Sequence, residues 1–160
     1  MAENTAVIET LNDLILINND RIAGYEKAYD ETNEIENDLR AMFNKLADQS
    51  RDHVLDLKAE VTKLGGEPES GTLASGKLYR VWMDIRSVFS SDNRRAVLEN
   101  AEGGEDAAKK AYDEALQSDD LPADIRQLLL SQQTAIQSSH DSIKRERDRQ
   151  RDVSKYPLTT

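Results

Sequence analysis

Cysteine is absent from this 160-residue chain, which excludes disulfides, Cys-based zinc sites and thiol chemistry. Aromatic residues make up 5%, with 3 Pro and 2 His in the whole chain. No apolar run approaches the ~18 residues of a membrane span. The N-terminus lacks a basic patch followed by an apolar stretch, so no secretory signal is read and the expected location is cytoplasmic. Positive charge is in deficit: 21 Lys and Arg face 31 Asp and Glu, a formal net charge of −10. Such a surface repels phosphate, so neither nucleic acid nor a membrane is an expected partner. No glycine-rich phosphate loop and no Ser-His-Asp or Cys-His set is visible, and no catalytic residue is assigned. The length suits one domain, which would bury roughly 70% of its unfolded surface.

What is present is helical periodicity. Ile8, Leu11, Ile15, Ile22, Tyr25 and Tyr29 recur at steps of three, four and seven. They predict a first helix over 5–31, with Asn4 or Thr5 accepting orphan backbone N–H groups at its start. Ile35, Leu39, Met42, Phe43, Leu46, Val54, Leu57, Val61 and Leu64 predict a second over 34–64, opened by an Asn33–Glu36 capping box. It should stop at Gly65-Gly66, before Pro68. A long crossover over 65–91 holds a short amphipathic helix at 77–89, with Leu78, Val81, Trp82, Ile85, Val88 and Phe89. A third helix is expected over 92–117, through Val97, Leu98, Ala101, Ala108, Ala111, Tyr112 and Leu116. A fourth is expected over 121–150, through Ile125, Leu128, Leu129, Ile136 and Ile143, with residues 151–160 as a tail.

Two tight hairpins joined by one long crossover give an all-α antiparallel four-helix bundle over 1–150, with ferritin-like connectivity. Lys27-Ala28-Tyr29-Asp30-Glu31 recurs as Lys110-Ala111-Tyr112-Asp113-Glu114, each late in the first helix of a hairpin. That string suggests a duplicated helical hairpin. The Arg-rich stretch near Arg145 to Arg151 interleaves with Glu146, Asp148 and Asp152, which suits i, i+4 pairing on a solvated helix face.

Several polar residues share the apolar stripes. His53 lies on the stripe of helix two and His140 on that of helix four. Glu105, with Glu102 beside it, falls on helix three, and Asn18 on helix one. These positions predict a polar layer across the bundle. Di-metal bundles use a Glu on each of two helices and Glu-x-x-His on each of the other two. Here Gln137 precedes His140, and Ser50 precedes His53, where that pattern needs an acid. Two readings stay open. In one, His53, His140, Glu105 and Glu102 hold one zinc or iron ion, with Asn18, Gln49 and Gln137 as supporting partners in the layer. In the other, Glu105, Gln137, both histidines and a tyrosine satisfy one another by hydrogen bonds and hold no metal.

Four strings carry a family resemblance: Asp20 to Ala28, Leu64 to Pro68, Leu78 to Ile85, and Glu102 to Tyr112. In that order the chain resembles a bacterial ferritin-like domain family of unknown function, from about Val7 to Lys144. The resemblance implies a ferritin-like bundle with a stress-associated role, and it marks Asp20, Glu105 and Asp106 as motif acids. The expected protein is non-enzymatic, with a degenerate metal-site layer. The alternative is a metal-binding protein, mononuclear or di-metal, of oxidoreductase or storage character. A homodimer formed through Tyr79, Trp82 and Phe89 of the crossover helix is the partner the sequence suggests.

Overall fold

The computed structural model describes residues 2–32, 36–70 and 94–155. The Asn33 cap, the crossover helix at 77–89 and its aromatic face lie outside the described residues. Four helices are present: α1 (Ala2–Glu31), α2 (Asn37–Lys63), α3 (Arg94–Leu116) and α4 (Ala123–Lys155). Among the described residues there is no strand, and no helix is long and apolar enough to cross a membrane.

The helix ends follow from local chemistry. α1 already begins at Ala2, so Asn4 and Thr5 lie inside it instead of capping it. α2 opens where the Glu36 carbonyl accepts from the N–H groups of Leu39 and Arg40. It closes where Gly65 turns to φ +83°, a conformation costly for any residue with a Cβ. There Gly66 N–H donates to Val61 O and Gly65 N–H to Thr62 O, the paired bonds of a Schellman stop. Gly66 sits so close to α1 that a Cβ would lie 2.8 Å from Ile8 Cγ2. Between α3 and α4, Arg126 donates to Leu116 O at 2.7 Å and Ser118 O at 2.5 Å, satisfying carbonyls that the end of α3 leaves open. α4 continues through Lys155, into the stretch read from sequence as a tail, and Arg149–Glu146 is among the ion pairs on its last turns.

Contacts fix the directions of the helices. Asn18 meets His53 and Tyr25 stacks on Phe43, so α1 and α2 are antiparallel. Tyr112 meets Gln132 and Asp106 meets His140, so α3 and α4 are antiparallel. Asn18 also meets Tyr112 while Arg21 meets Glu105, which sets α3 antiparallel to α1 and therefore parallel to α2. Parallel α2 and α3 require a connection that returns the length of the bundle, the single-crossover topology.

Each helix turns a line of residues at alternating steps of three and four toward the interior, the spacing of left-handed helix packing. In α1 the line is Val7, Leu11, Leu14, Asn18, Arg21 and Tyr25, and in α4 it is Ile125, Leu129, Gln132, Ile136, Ser139 and Ile143. α1 is enclosed on further sides too, since Asp13, Leu16, Ile17 and Asp20 are also buried. The two copies of the repeated string sit differently: Tyr112 is fully buried, whereas Tyr29 is half-buried beneath the Arg40 guanidinium.

Candidate functional site

The inward lines carry polar residues at one level of the bundle. They divide the apolar interior into two clusters, one around Leu11, Leu57, Tyr112 and Leu129, the other around Tyr25, Phe43, Leu98 and Ile143. The residues between them form two hydrogen-bonded sets, one above the other.

The first set is a closed ring through all four helices. Asn18 Nδ2 donates to Leu14 O at 2.8 Å and to the Tyr112 hydroxyl at 3.0 Å. Tyr112 in turn donates to Gln132 Oε1 at 2.6 Å, and Gln132 Nε2 donates to the His53 carbonyl at 3.3 Å. With its amide nitrogen so engaged, Asn18 offers Oδ1 to His53 Nδ1 at 3.3 Å, which assigns the proton to Nδ1. Burial, and then the nearby Arg21 cation, lower the His53 pKa from 6.5 to about 4, so the ring is neutral near pH 7. Burial also raises the Tyr112 hydroxyl above its ordinary value.

The second set is built on an ion pair. Arg21 Nε donates to Glu105 Oε1 at 2.9 Å and Nη2 to Oε2 at 2.8 Å, a bidentate fork with both side chains only 1% exposed. Nη1 donates to Ser50 Oγ at 2.5 Å and Nη2 to Gln49 Oε1 at 3.3 Å. Tyr25 donates its hydroxyl to Glu105 Oε1 at 2.5 Å, and Ser139 brings α4 in through Gln49. Burial works against the Arg21 cation, but Glu105, with Tyr25 and Tyr112, outweighs it and holds the pKa above its ordinary value. Tyr25 is pushed well above the ordinary phenol range by burial and then by the adjacent Glu105 charge.

A third group lies at the α3–α4 groove, beside the interior. His140 Nε2 is 2.9 Å from Asp106 Oδ1 and 3.6 Å from Glu102 Oε1. The other ring nitrogen, Nδ1, is 3.2 Å from Asp141 Oδ1, which also accepts from Gln137 Nε2 at 2.9 Å. Those two bonds, His140 first, hold the Asp141 carboxyl below its ordinary value. Arg147 binds the second oxygen of Glu102 and also pairs with Asp148.

The structure thus separates the four residues expected to form one metal site. Glu105 is committed to Arg21 and Tyr25, and His53 belongs to the neutral ring. His140 stands one position past Ser139, off the inward line, where it meets Glu102 together with Asp106. Asn18 and Gln49 do lie in the interior layer, but Gln137 is outside it, on Asp141. Of the motif acids, Asp20 is buried on α1 but off the line of Asn18 and Arg21, and Asp106 faces the groove. Sequence reasoning missed Arg21 and Gln132 as members of the layer. Both occupy inward positions by spacing alone, four before Tyr25 and three after Leu129.

An interior di-metal centre does not fit these residues. The level that would hold it contains a buried guanidinium, whose charge opposes a second cation and whose fork occupies both oxygens of Glu105. Asn18, Ser50, Gln49 and Gln132 are neutral, where a di-metal centre needs carboxylates to offset the ions.

The single-crossover bundle with inward heptad lines is a ferritin-like four-helix bundle. The chain belongs to the family described as "Domain of unknown function (DUF2383)", whose model matches residues 6–118. Among solved structures it is similar to a mutant of Dps1 from Mycobacterium smegmatis, with 12% identity and a TM-score of 0.78. That match covers 91% of this chain and 97% of the other, and at such identity it speaks for the fold alone. No curated protein matches the chain.

Proposed function

We propose that this is a non-enzymatic, stress-associated bacterial protein of the cytoplasm, a ferritin-like bundle whose interior is closed by its own ion pair. The observation that carries this reading is the Arg21–Glu105 fork, which puts an internal cation at the level where a redox metal centre would need anionic ligands. The hydroxyls and amides around it are spent on the same network, and both oxygens of Glu105 are held by Arg21, which keeps that carboxylate from acid–base work. The stress-associated role rests on the helix motifs that the chain shares with its family. The acidic composition speaks against a nucleic-acid or membrane partner, and the homodimer rests on the sequence placing Tyr79, Trp82 and Phe89 together in the crossover.

Aerobic oxidation of ferrous iron is the direct test. The purified chain should oxidise it no faster than buffer does. Turnover that disappears in Glu105→Gln or His53→Ala would overturn the reading. Abundance that stays flat through stationary phase and oxidative challenge would remove the stress association, and light scattering at the monomer mass would remove the dimer. A metal-binding reading is favoured by one observation, the meeting of Glu102, Asp106 and His140, and that concerns the groove alone.

A further inference from the structure

We propose that Glu102, Asp106 and His140 form a divalent transition-metal site of zinc class in the α3–α4 groove. The proposal does not depend on the interior being metal-free, because it uses none of the interior residues. One donor atom from each of the three residues lies within 4.8 Å of the others. A tetrahedral ion with bonds near 2.1 Å holds its ligand atoms about 3.4 Å apart. The separations from His140 Nε2, 2.9 Å to Asp106 and 3.6 Å to Glu102, bracket that value. Two of the three ligand separations thus already lie near the tetrahedral value, and the third, between the carboxylates, is within 4.8 Å.

The helices supply this geometry from their own register. Glu102 and Asp106 are four apart, so both carboxylates project from one face of α3, one turn from each other. His140 answers from the antiparallel α4. Its ring is oriented by the hydrogen bond from Nδ1 to Asp141, itself fixed by Gln137. A proton on Nδ1 leaves the Nε2 lone pair facing the two carboxylates, the outer-sphere arrangement that metal-binding imidazoles use. Three electron-rich atoms facing one another need a cation between them, and either a proton on the ring or a metal ion satisfies that need. Arg147 takes the outer oxygen of Glu102 and turns the inner one toward the ring. His140 and Glu102 are 12% exposed and Asp106 57%, which leaves an entry path and a coordination position open to water. One imidazole with two carboxylates suits zinc, cobalt, iron or manganese better than the all-oxygen cages of calcium.

The test uses the full chain, stripped with chelator and titrated with Zn2+ by calorimetry, and with Co2+ by visible absorption. One ion per chain is expected, with a Co2+ spectrum of low coordination number. His140→Ala and Asp106→Asn should each weaken binding about tenfold or more, and Asp141→Asn about tenfold. Asp106 is exposed, so its variant keeps the test valid if His140→Ala fails to fold. Binding that is absent, or unchanged in both variants, overturns the proposal. So does a ring that responds by NMR to pH and not to Zn2+, since the geometry would then belong to an imidazolium ion pair. Binding lost in Glu105→Gln but kept in His140→Ala would overturn the closed-interior reading as well. Binding lost only in the groove variants supports the site and leaves that reading intact.

Discussion

Glu105→Gln removes the negative charge facing the buried Arg21 guanidinium while keeping the shape of the side chain. The cation then stays at 1% exposure, with Ser50 and Gln49 as neutral acceptors. Removing one partner of a buried ion pair costs about 3–5 kcal/mol, because the surviving charge loses both water and counter-ion. Domains of this kind are stable by only about 5–15 kcal/mol, so the loss takes a large share. For a chain of this length it corresponds to a fall in Tm of about 6–20 °C. The double variant Arg21→Met, Glu105→Gln carries no charge at this level, and Tyr25 still has an amide oxygen to donate to. It should therefore be more stable than the Glu105→Gln single variant, although it has lost more contacts. Urea unfolding of the wild type, both single variants and the double variant measures the coupling, expected at about 3 kcal/mol. Single losses below about 1 kcal/mol, or losses that add within ~0.5 kcal/mol, would refute the claim that the pair is desolvated and mutually dependent.

Acid sensitivity should report on His53. Unfolded, it takes up a proton near pH 6.5; folded, it resists until about 4, so the unfolded state binds more protons between those values. The stability it contributes is fully present above pH 6.5 and is lost as pH falls toward 4, by about 3 kcal/mol. His53→Gln should flatten that limb of the urea midpoint against pH, and an unchanged limb would reject the assignment. Tyr112→Phe leaves Gln132 Oε1 without its donor and should cost about 1–3 kcal/mol by the same assay. Gly65→Ala should cost about 1–2 kcal/mol through its positive φ, whatever the background. Gly66→Ala should instead cost less once Ile8 is shortened to alanine, because its penalty is the contact with that side chain; additive losses would remove the close-approach argument.

Helix periodicity is a local property, so the four helices and the Gly65 stop were legible in the sequence. The inward placement of Glu105 and His53 was legible for the same reason. Arg21 was hidden because a stripe drawn through apolar residues alone passes through Ile15 and Ile22. The true line runs through Leu14, Asn18 and Tyr25, with Arg21 at the step between the last two. Once charge is allowed on the line, Arg21 is found by spacing, but its partner on α3 depends on how two helices distant in sequence are rotated against each other. His140 shows the same limit. Both it and Ser139 fit a stripe between Ile136 and Ile143 at helical spacing, and only the packing of α4 decides which of the two turns inward.

That choice between neighbours sorts the ionisable groups of the bundle. One residue along an α-helix is about 100° of rotation. With Ser139 inward, α4 presents a small hydroxyl to Gln49 and leaves room for the guanidinium fork that closes the interior. The same rotation swings the imidazole into the groove, against acids of α3 that the interior has no means to neutralise. An imidazole turned inward at that level would compete with Arg21 for Glu105, and the groove carboxylates would lose the group that brings them to a common point. The neutral ring through Gln132, the buried ion pair through Ser139 and Gln49, and the groove site through His140 thus all meet one register of α4. A change that rotates α4 should disturb all three together, whereas a side-chain substitution in the groove should leave the interior as it is.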